Sequence, residues 1–398
     1  MNILQICHKP PFPAIDGGCI AIKNISYGLL DNGCNLKILT ISTAKHPFNI
    51  TNIPKDFIKN TKIENVYVDT KINIVDAFSN LVTFDSYNIS RFFSPDFNYL
   101  LIKTLKEGNF DIILLESLFT TPYIKTIRDH SKSKIVLRSH NLEHIIWKRL
   151  AKETINPAKK IYLNLLSKQL ESYETTIVKE VDGIAAISKD DEIKYKNLNY
   201  PSKTTTIPFG ININNYNAKE SPNSSIIKFF HLGAMDWKPN QEAVVWLLEE
   251  VWPSILNKLP NAELHLAGKE MPEWILNKKI PNVHNHKNVK DAIKFMNSYD
   301  VMLVPLLSAG GVRVKIIEGM ALSKTIISTS IGAEGLNYMD NINIIIADDA
   351  ITFSEKALEL SLDINRIKDI GENARKHVSE FYDQNKISTN LIQFFNSI

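Results

Sequence analysis

A short stretch of the sequence, residues 304–321, brings together three kinds of group that a nucleotide needs. An apolar run precedes Gly310 and Gly311, and the residues that follow repeat apolar side chains at helical spacing. Small residues at such a junction let a ligand approach the backbone, and the first helix turn offers unpaired N–H groups to an anion. Gly311, Lys315 and Glu318 fall on one face of the predicted helix. The pattern therefore indicates a phosphate site with a cation and a carboxylate beside it.

A purely structural interpretation of the same stretch is equally compatible with its spacing. Buried strand, glycine turn and amphipathic helix occur in every doubly wound α/β protein. A Lys and a Glu three residues apart on a helix usually form a solvated pair worth a few tenths of a kcal/mol. Spacing alone leaves both interpretations open.

A second group of candidate residues follows predicted strands nearer the amino terminus. Gly17 and Gly18 lie in the loop after strand 3–7, and His140 directly follows strand 134–138. The carboxyl ends of parallel strands are where sites of open α/β sheets collect, although an isolated histidine is more often structural. We interpret His144 as a packing or helix-start partner and Glu143 as a helix-start charge.

The elements that position these residues alternate between strand and helix. Strands are predicted at residues 3–7, 36–42, 111–116, 134–138, 183–188, 226–232 and 263–267, and helices at 19–32, 123–130, 161–179 and 364–381. This alternation predicts an α/β fold with parallel sheets.

Length, charge and cysteine content exclude several classes of protein. The 398 residues are enough for two or three domains, and a net charge of +3 without a long basic block argues against nucleic acid as a partner. The three cysteines, Cys7, Cys19 and Cys34, have no spacing typical of zinc sites or disulfide scaffolds. We therefore expect a reducing, cytoplasmic location, and we find neither a signal peptide nor a membrane span in the sequence.

Residues 310–318 resemble the donor-site signature of the GT-B-fold retaining glycosyltransferases related to glycogen synthase (family four). They match the subgroup that reads Gly-Gly-x-Arg-x-Lys-x-x-Glu. In most of that family a first glutamate holds the donor sugar and a second holds the ribose; Glu318 matches the second, but Gly310 stands at the first. The family's usual Arg and Lys after the first glycine of the second domain are also replaced, by Ala234 and, without a gap, Asn240.

The resemblance, which covers nearly the whole chain, implies a set of site residues. It implies His140, Arg313 and Lys315 as catalytic residues, with His140 close to the sugar and the two cations compensating for the missing Arg-Lys pair. The donor-binding residues that it implies are Gly17, Gly18, Gly233, Lys238, Asn240, Lys269, Val289, Gly310, Gly311 and Glu318.

The resemblance also implies the architecture and the reaction. The expected fold has two Rossmann-like domains facing across a cleft: 1–205 on the acceptor side, 206–380 for the nucleotide sugar, and a helix at 381–398 that crosses back to the first domain. The reaction is transfer of a sugar from a nucleoside diphosphate sugar to an acceptor hydroxyl with retention, in which the departing diphosphate accepts the proton. No carboxylate pair for a double displacement is evident, and no cofactor or metal is expected.

Two other functions stay open at this stage. A nucleotide-sugar epimerase of the same fold would isomerise the donor without an acceptor. A catalytically inactive nucleotide- or glycan-binding module is also conceivable, because the first glutamate and the Arg-Lys pair are missing.

The expected acceptor is a glycan or a lipid-linked glycan, in the assembly of surface polysaccharide, lipopolysaccharide or another glycan. Helix 161–179, with Lys159, Lys160 and Lys168 beside leucines, is compatible with peripheral contact at the inner face of the membrane or with a solvated helix face. His284 and His286 make a poor metal set by sequence, because no Cys or carboxylate lies near them in the chain.

Overall fold

The computed structural model describes residues 1–70, 87–154, 156–198, 202–218, 226–308 and 311–398, and the chain forms two compact units. Residues 1–210 and 384–398 form the first unit, and residues 211–383 form the second. Divisions are expected after residues 205 and 380, whereas the contacts divide the chain after Gly210 and Asp383.

The first unit is built on a parallel sheet. Its described strands are β1 (Asn2–Cys7), β2 (Asn35–Ser42), β3 (Glu64–Tyr67), β4 (Ile112–Glu116), β5 (Lys134–Ser139), β6 (Gly183–Ala186) and β7 (Lys203–Thr206). They lie in the order β3-β2-β1-β4-β5-β6-β7, and every pairing is parallel. The order reverses between β1 and β4. In open α/β sheets ligands bind at such a reversal, outside the carboxyl ends of the strands.

Helices cover both faces of this sheet. The described α-helices are α1 (Gly17–Asp31), α2 (Lys55–Thr61), α3 (Tyr87–Ser90), α4 (Pro95–Glu107), α5 (Ile124–His130), α6 (Glu143–Glu153), α7 (Pro157–Ile177) and α8 (Lys189–Asn197). Alternate residues of β1 show the two faces, because Leu4 and Ile6 pack in one apolar cluster and Ile3 and Cys7 in another. A strand buried on both faces explains the unbroken apolar runs in the sequence.

The carboxyl-terminal helix of the chain, Gln384–Ser397, belongs to the first unit and packs closely on α1. Its residues Ile387 and Leu391 join the apolar cluster that contains Ile3. A Cβ atom at Gly28 of α1 would lie 1.8 Å from Ser388 Oγ, so a glycine is needed at this crossing. The helix therefore completes the core of a unit that begins almost four hundred residues earlier in the chain.

The second unit repeats the architecture with a smaller sheet. Its described strands are β8 (Lys228–Leu232), β9 (Glu263–Ala267), β10 (Val283–Asn285), β11 (Val301–Val304), β12 (Thr325–Ser328) and β13 (Ile345–Ile346). The order is β10-β9-β8-β11-β12-β13, again parallel, with the reversal between β8 and β11. The loops after β8 and β11 therefore flank the position where a ligand is expected.

The described α-helices of the second unit are α9 (Lys238–Trp246), α10 (Trp252–Lys258), α11 (Glu273–Leu276), α12 (Ala292–Met296), α13 (Val314–Ala321), α14 (Ala350–Ser361) and α15 (Ile364–Phe381). The predicted class of fold, two parallel α/β domains, is confirmed. Within the described residues, no helix is long and apolar enough to cross a membrane.

Candidate active site

In the first unit, the glycine loop after β1 ends at a strongly anchored helix start. Gly17 and Gly18 are the first two residues of α1, and the carboxylate of Asp16 accepts a hydrogen bond from Cys19 N at 2.9 Å. Asp16 also contacts Lys9 Nζ at 3.0 Å and His46 Nε2 at 2.7 Å. Burial alone would raise the pKa of Asp16, but these partners lower it well below its usual value. Lys9, which the sequence analysis did not single out, thus places a cation beside the predicted glycine loop.

A buried charged cluster lies at the carboxyl ends of β4 and β5. Glu116 Oε2 lies 3.0 Å from Arg138 Nη1 and 2.7 Å from His140 Nε2, and Glu116 Oε1 accepts a hydrogen bond from Gln5 Nε2 at 2.9 Å. Glu116 and Arg138 are fully buried, and His140 is 10% exposed. His8, directly after β1, lies beside His140 with a ring separation of 5.6 Å. The predicted His140 is therefore one member of a cluster at the reversal of the strand order.

The electrostatics of this cluster favour a neutral imidazole at His140. Burial lowers its pKa, and the neighbouring Glu116 only partly opposes this effect. Burial acts in the opposite direction on Glu116, but Arg138 and His140 outweigh it and lower the pKa of Glu116 to about 2. An ionised Glu116 can only accept hydrogen bonds, so the proton of the neutral ring lies on Nε2 and Nδ1 is left as an acceptor. His140 can therefore accept a hydrogen bond or a proton from a ligand.

A second buried cluster adjoins the start of α6. His144 Nδ1 lies 2.6 Å from Glu174 Oε2, which agrees with a packing role for His144. Glu143 is the first residue of α6, as the sequence analysis expects, but its side chain is only 9% exposed. Burial and the nearby Glu174 raise the pKa of Glu143 to about 7. The expected helix-start charge is therefore largely suppressed below neutral pH.

The raised pKa of Glu143 predicts a specific pH dependence of stability. Because the pKa of Glu143 is about 7 in the folded protein and the ordinary pKa of a glutamate is 4.5, protonation stabilises the fold fully below pH 4.5, and this contribution is lost as the pH rises through 7. Between pH 5 and pH 8 the part of this contribution that is lost amounts to about 2–3 kcal/mol. In urea unfolding at pH 5 and pH 8, Glu143→Gln should reduce the difference between the two free energies of unfolding by about this amount. The exposed Glu107→Gln should not, and an unchanged difference in Glu143→Gln would contradict the prediction.

In the second unit, the loops after β8 and β9 approach each other more closely than side chains would allow. A Cβ atom at Gly268 would lie 1.7 Å from Gly233 O, and one at Gly233 would lie 2.7 Å from Asn240 Cγ. Asn240 Nδ2 donates a hydrogen bond to Ala234 O at 2.8 Å. Asn240, which falls near the position of the family's lysine if no gap is allowed, thus holds the loop in place and supplies no charge. Lys269 Nζ is paired with Asp236 Oδ2 at 3.0 Å.

The predicted donor motif has the expected order of strand, glycine turn and helix, but its helix begins later than expected. Helix α13 begins at Val314, three residues after Gly311, so the N–H group of Gly311 is not in the first helix turn. Gly311 has φ +81°, a left-handed conformation that favours glycine. Arg313 precedes the helix, and its guanidinium lies 5.1 Å from the ring centroid of Trp237, in the loop after β8. Gly310 lies outside the described residues.

The cation and carboxylate of the motif meet as the spacing predicts. Lys315 Nζ lies 2.8 Å from Glu318 Oε2 on α13, and the hydroxyl of Tyr216 donates a hydrogen bond to Glu318 Oε1 at 2.9 Å. Burial and the adjacent Glu318 raise the pKa of Tyr216, which keeps its hydroxyl protonated as a donor. The Lys315 side chain is 40% exposed and that of Glu318 is 10% exposed. A fixed carboxylate and an accessible cation therefore stand together, and sequence reasoning missed Tyr216.

The remaining predicted residues lie in the same set of loops. Lys238 begins α9 and helps to line a pocket of about 360 Å³, together with Gln241, Glu242, Trp274 and Leu307. Val289 is half-buried in the loop after β10. That loop is tied to the loop after β9, because Gly268 N donates a hydrogen bond to Lys287 O at 2.8 Å. The loops after β8, β9 and β10 are thus held together.

Comparison with known proteins finds a family match within the second unit. Residues 227–363 match the model of the family described as Glycosyl transferases group 1. The matched segment holds most of the second unit, residues 211–383. A curated relative from Klebsiella pneumoniae, described as an uncharacterized 44.6 kDa protein in the cps region, is 24% identical over 98% of this chain and 99% of its own.

Solved structures resemble the whole chain. Sucrose-phosphate synthase from Thermosynechococcus elongatus aligns with a TM-score of 0.72 at 14% identity, over 100% of this chain and 98% of its own. Anabaena HepE, in complex with UDP, aligns with a TM-score of 0.69 at 14% identity over the full length of both chains. The chain has the GT-B fold. In this GT-B protein the described members of the predicted set lie near the carboxyl ends of each unit's strands, in the loops there or on the helices that follow them, and their roles stay predictions.

Proposed function

We propose that the protein is a retaining glycosyltransferase that uses a nucleoside diphosphate sugar as its donor. The observation that carries the proposal is the triad of Tyr216, Glu318 and Lys315. It joins a carboxylate oriented by a hydroxyl to a half-exposed cation, beside the reversal of the strand order. The group 1 glycosyl transferase match over residues 227–363 supports the same class of reaction.

In the proposed donor complex, each member of the triad has a separate task. Glu318 accepts hydrogen bonds from the ribose hydroxyls, and Lys315 neutralises the diphosphate, with Arg313 as a second cation. The close backbone approach of Gly233 and Gly268 fixes the loops after β8 and β9 at the carboxyl ends of the strands, beside the proposed donor site. Gly17 and Gly18 offer open backbone at the start of α1, and Lys9 adds a cation beside them. A uridine nucleotide is the first candidate, since the similar HepE was solved with UDP and with UDP-glucose.

The proposed transfer retains the anomeric configuration. The bond between the anomeric carbon and the diphosphate oxygen breaks, and the acceptor oxygen forms its bond on the same face of the sugar. The acceptor proton passes to the departing diphosphate, whose growing charge Lys315 stabilises. His140 is proposed to act at the sugar as a neutral hydrogen-bond acceptor. The step needs no metal ion in this proposal, so activity should survive chelation by EDTA.

The proposed acceptor is a glycan or a lipid-linked glycan of a surface polysaccharide. The relative from the Klebsiella cps region supports this context. Helices α6 and α7 also expose apolar side chains, with Leu150 43%, Ile161 71% and Leu165 40% exposed, next to Lys159 and Lys160. Exposed apolar and basic side chains on one helix suit an anionic membrane surface. We therefore propose peripheral membrane contact through α7.

The nucleotide site can be tested by thermal stabilisation with UDP, GDP, ADP and CMP. We expect one diphosphate to raise the melting temperature of the wild-type protein. Glu318→Gln should weaken its affinity by about tenfold or more, because a hydrogen bond to a charged group contributes about 1.5–3 kcal/mol. Glu359→Gln is the matched control, since Glu359 forms the same i,i+3 pair with Lys356 on α14.

Each outcome of this test separates the proposed function from its alternatives. An unchanged affinity in folded Glu318→Gln would contradict the ribose role. Isomerisation of the donor sugar without an acceptor would indicate an epimerase. Binding without turnover on any acceptor would indicate an inactive module, and no stabilisation by any of the four nucleotides would contradict the donor site as a whole.

A further inference from the structure

Two neighbouring strands of the second unit bring a carboxylate and histidines together. Glu263 and His265 alternate along β9 and therefore point to the same face of the sheet. His284 is the direct register partner of His265 on β10, and their rings stack at 4.8 Å. His286 follows two residues later on that side. By sequence, His284 and His286 make a poor metal set because no carboxylate lies near them in the chain. In the sheet, the neighbouring strand β9 supplies the carboxylate of Glu263.

The distances between these side chains suit a single ion. Glu263 Oε2 lies 3.1 Å from His265 Nε2. Two ligands of a tetrahedral zinc ion, each about 2.0–2.1 Å from the metal, lie about 3.3 Å apart. One ligand atom from each of Glu263, His265 and His284 lies within 4.8 Å of the others, and His284 is exposed and can rotate inward. Only a side-chain adjustment is therefore needed to bring the three ligand atoms together.

We propose that Glu263, His265 and His284 bind a divalent transition-metal ion of the zinc class, with water completing the coordination. Glu263 is the first residue of β9, so this site lies toward the amino ends of the strands and is separate from the glycine loops at their carboxyl ends. Two nitrogens and one carboxylate oxygen are ligands that zinc accepts.

The surroundings of His265 support its role as a ligand. Its second nitrogen, Nδ1, lies 3.0 Å from His286 Nε2, and the ring of Tyr299 stacks on it at 4.1 Å. A metal-binding histidine usually donates its other N–H to a partner, which fixes the tautomer and the ring orientation.

Lys228 competes with the metal ion for the carboxylate of Glu263. Its Nζ lies 3.1 Å from Glu263 Oε2, and the side chain is 33% exposed, so it can swing into solvent. Another candidate metal set is less suitable for binding an ion. It consists of Asp16, Cys19 and His46. Burial raises the pKa of Cys19 to about 12, which disfavours the thiolate that a metal needs.

Metal binding at this site would fasten the edge of the sheet. Strand β10 has only three residues and lies at the edge, and the loop after it holds Lys287 and Val289. An ion shared by β9 and β10 would link the two strands side chain to side chain. The expected consequence is a metal-dependent rise in the melting temperature of the full chain.

The test uses the full-length protein after chelation and dialysis, titrated with Zn²⁺ or Co²⁺. We expect Zn²⁺ to raise the melting temperature and Co²⁺ to give the visible absorption of a four- or five-coordinate site. His284→Ala and Glu263→Ala should each weaken the affinity by at least about tenfold, with little effect on the metal-free melting temperature for the exposed His284. Lys228→Met should strengthen binding, because it removes the competing cation.

His130→Ala is the matched control, since His130 is an exposed histidine on α5 of the first unit. Its metal affinity should equal that of the wild type. The proposal would be overturned if Zn²⁺ and Co²⁺ produced neither effect. It would also be overturned if the rise in melting temperature and the Co²⁺ absorption were unchanged in His284→Ala and Glu263→Ala. The same conclusion would follow if His130→Ala reduced these two effects as much as His284→Ala does.

Discussion

Arg138→Ala should lower the free energy of unfolding of the first unit by about 3–5 kcal/mol, because it leaves the buried carboxylate of Glu116 without its main counter-charge. The two side chains lie 3.0 Å apart and are 1% and 0% exposed. Hydrogen exchange in peptides from these strands measures the effect within the first unit alone.

A surface pair of the same chemistry supplies the control for this prediction. Arg128 Nη2 lies 2.9 Å from Asp182 Oδ2, but the side chains are 37% and 22% exposed. Arg128→Ala should therefore cost about 1 kcal/mol or less. The double variant Arg138→Ala with Glu116→Ala should be less destabilised than the sum of the single variants, because it leaves no uncompensated charge. A cost for Arg138→Ala no larger than that for Arg128→Ala would contradict the prediction.

The same cluster links stability to the proposed chemistry. Glu116 holds the Nε2–H of His140 at 2.7 Å and so keeps Nδ1 as the acceptor of the ring. Glu116→Gln keeps the shape of the side chain but loses its charge. Its amide N–H can donate a hydrogen bond to His140 Nε2 and so allow the tautomer with the proton on Nδ1. This control of the His140 tautomer explains why the buried charge of Glu116, which is costly to stability, lies directly behind the predicted site residue His140.

The sequence predicts the helices and strands well because buried apolar residues recur along the chain at the period of each element. The strand predicted at 263–267 and the helix predicted at 364–381 have the observed bounds, Glu263–Ala267 and Ile364–Phe381. Strands buried on both faces read as apolar runs, and a helix over a core reads as a repeat of three and four. Both signals are local, so a single sequence contains them.

The start of α13 was not predictable in the same way. The residues around it carry no capping side chain, and Arg313 at the helix entrance makes no side-chain hydrogen bond to the first turn. Gly311 adopts a left-handed conformation ahead of the helix, whereas the prediction counted it on the face of the helix with Lys315 and Glu318. A glycine signals a change of backbone direction, but it does not show on which side of it the helix begins.

Partners that are distant in the chain were missed for a different reason. Tyr216 meets Glu318 across 102 positions, and Glu263 meets His284 only because β9 and β10 are neighbours. Such pairs depend on the order of strands in the sheet, which periodicity does not encode. The predicted residues were those with local motifs, and the partners that orient them emerged only with the fold.

Lys315→Met should reduce the rate of sugar transfer by about 10²–10³-fold, the usual cost of removing one group that stabilises charge on a leaving group. The Lys315 ammonium lies 2.8 Å from Glu318 and is 40% exposed, so it is held in position and still accessible to a diphosphate. We expect kcat to fall, since the charge on the diphosphate grows as its bond to the sugar breaks. Lys315→Arg should retain part of the rate because it keeps the charge.

The chain contains a matched control for the interpretation that Lys315 and Glu318 are only a solvated helix pair. Lys356 and Glu359 on α14 have the same spacing, with Nζ 2.9 Å from Oε2 and side chains that are 26% and 46% exposed. Lys356→Met should leave transfer unchanged and alter stability by less than about 1 kcal/mol. If Lys315→Met behaved like Lys356→Met in a transfer assay, Lys315 would be a surface residue. If the two variants were equally stable but only Lys315→Met lost transfer activity, the diphosphate would be assigned to the face of α13 that carries Lys315.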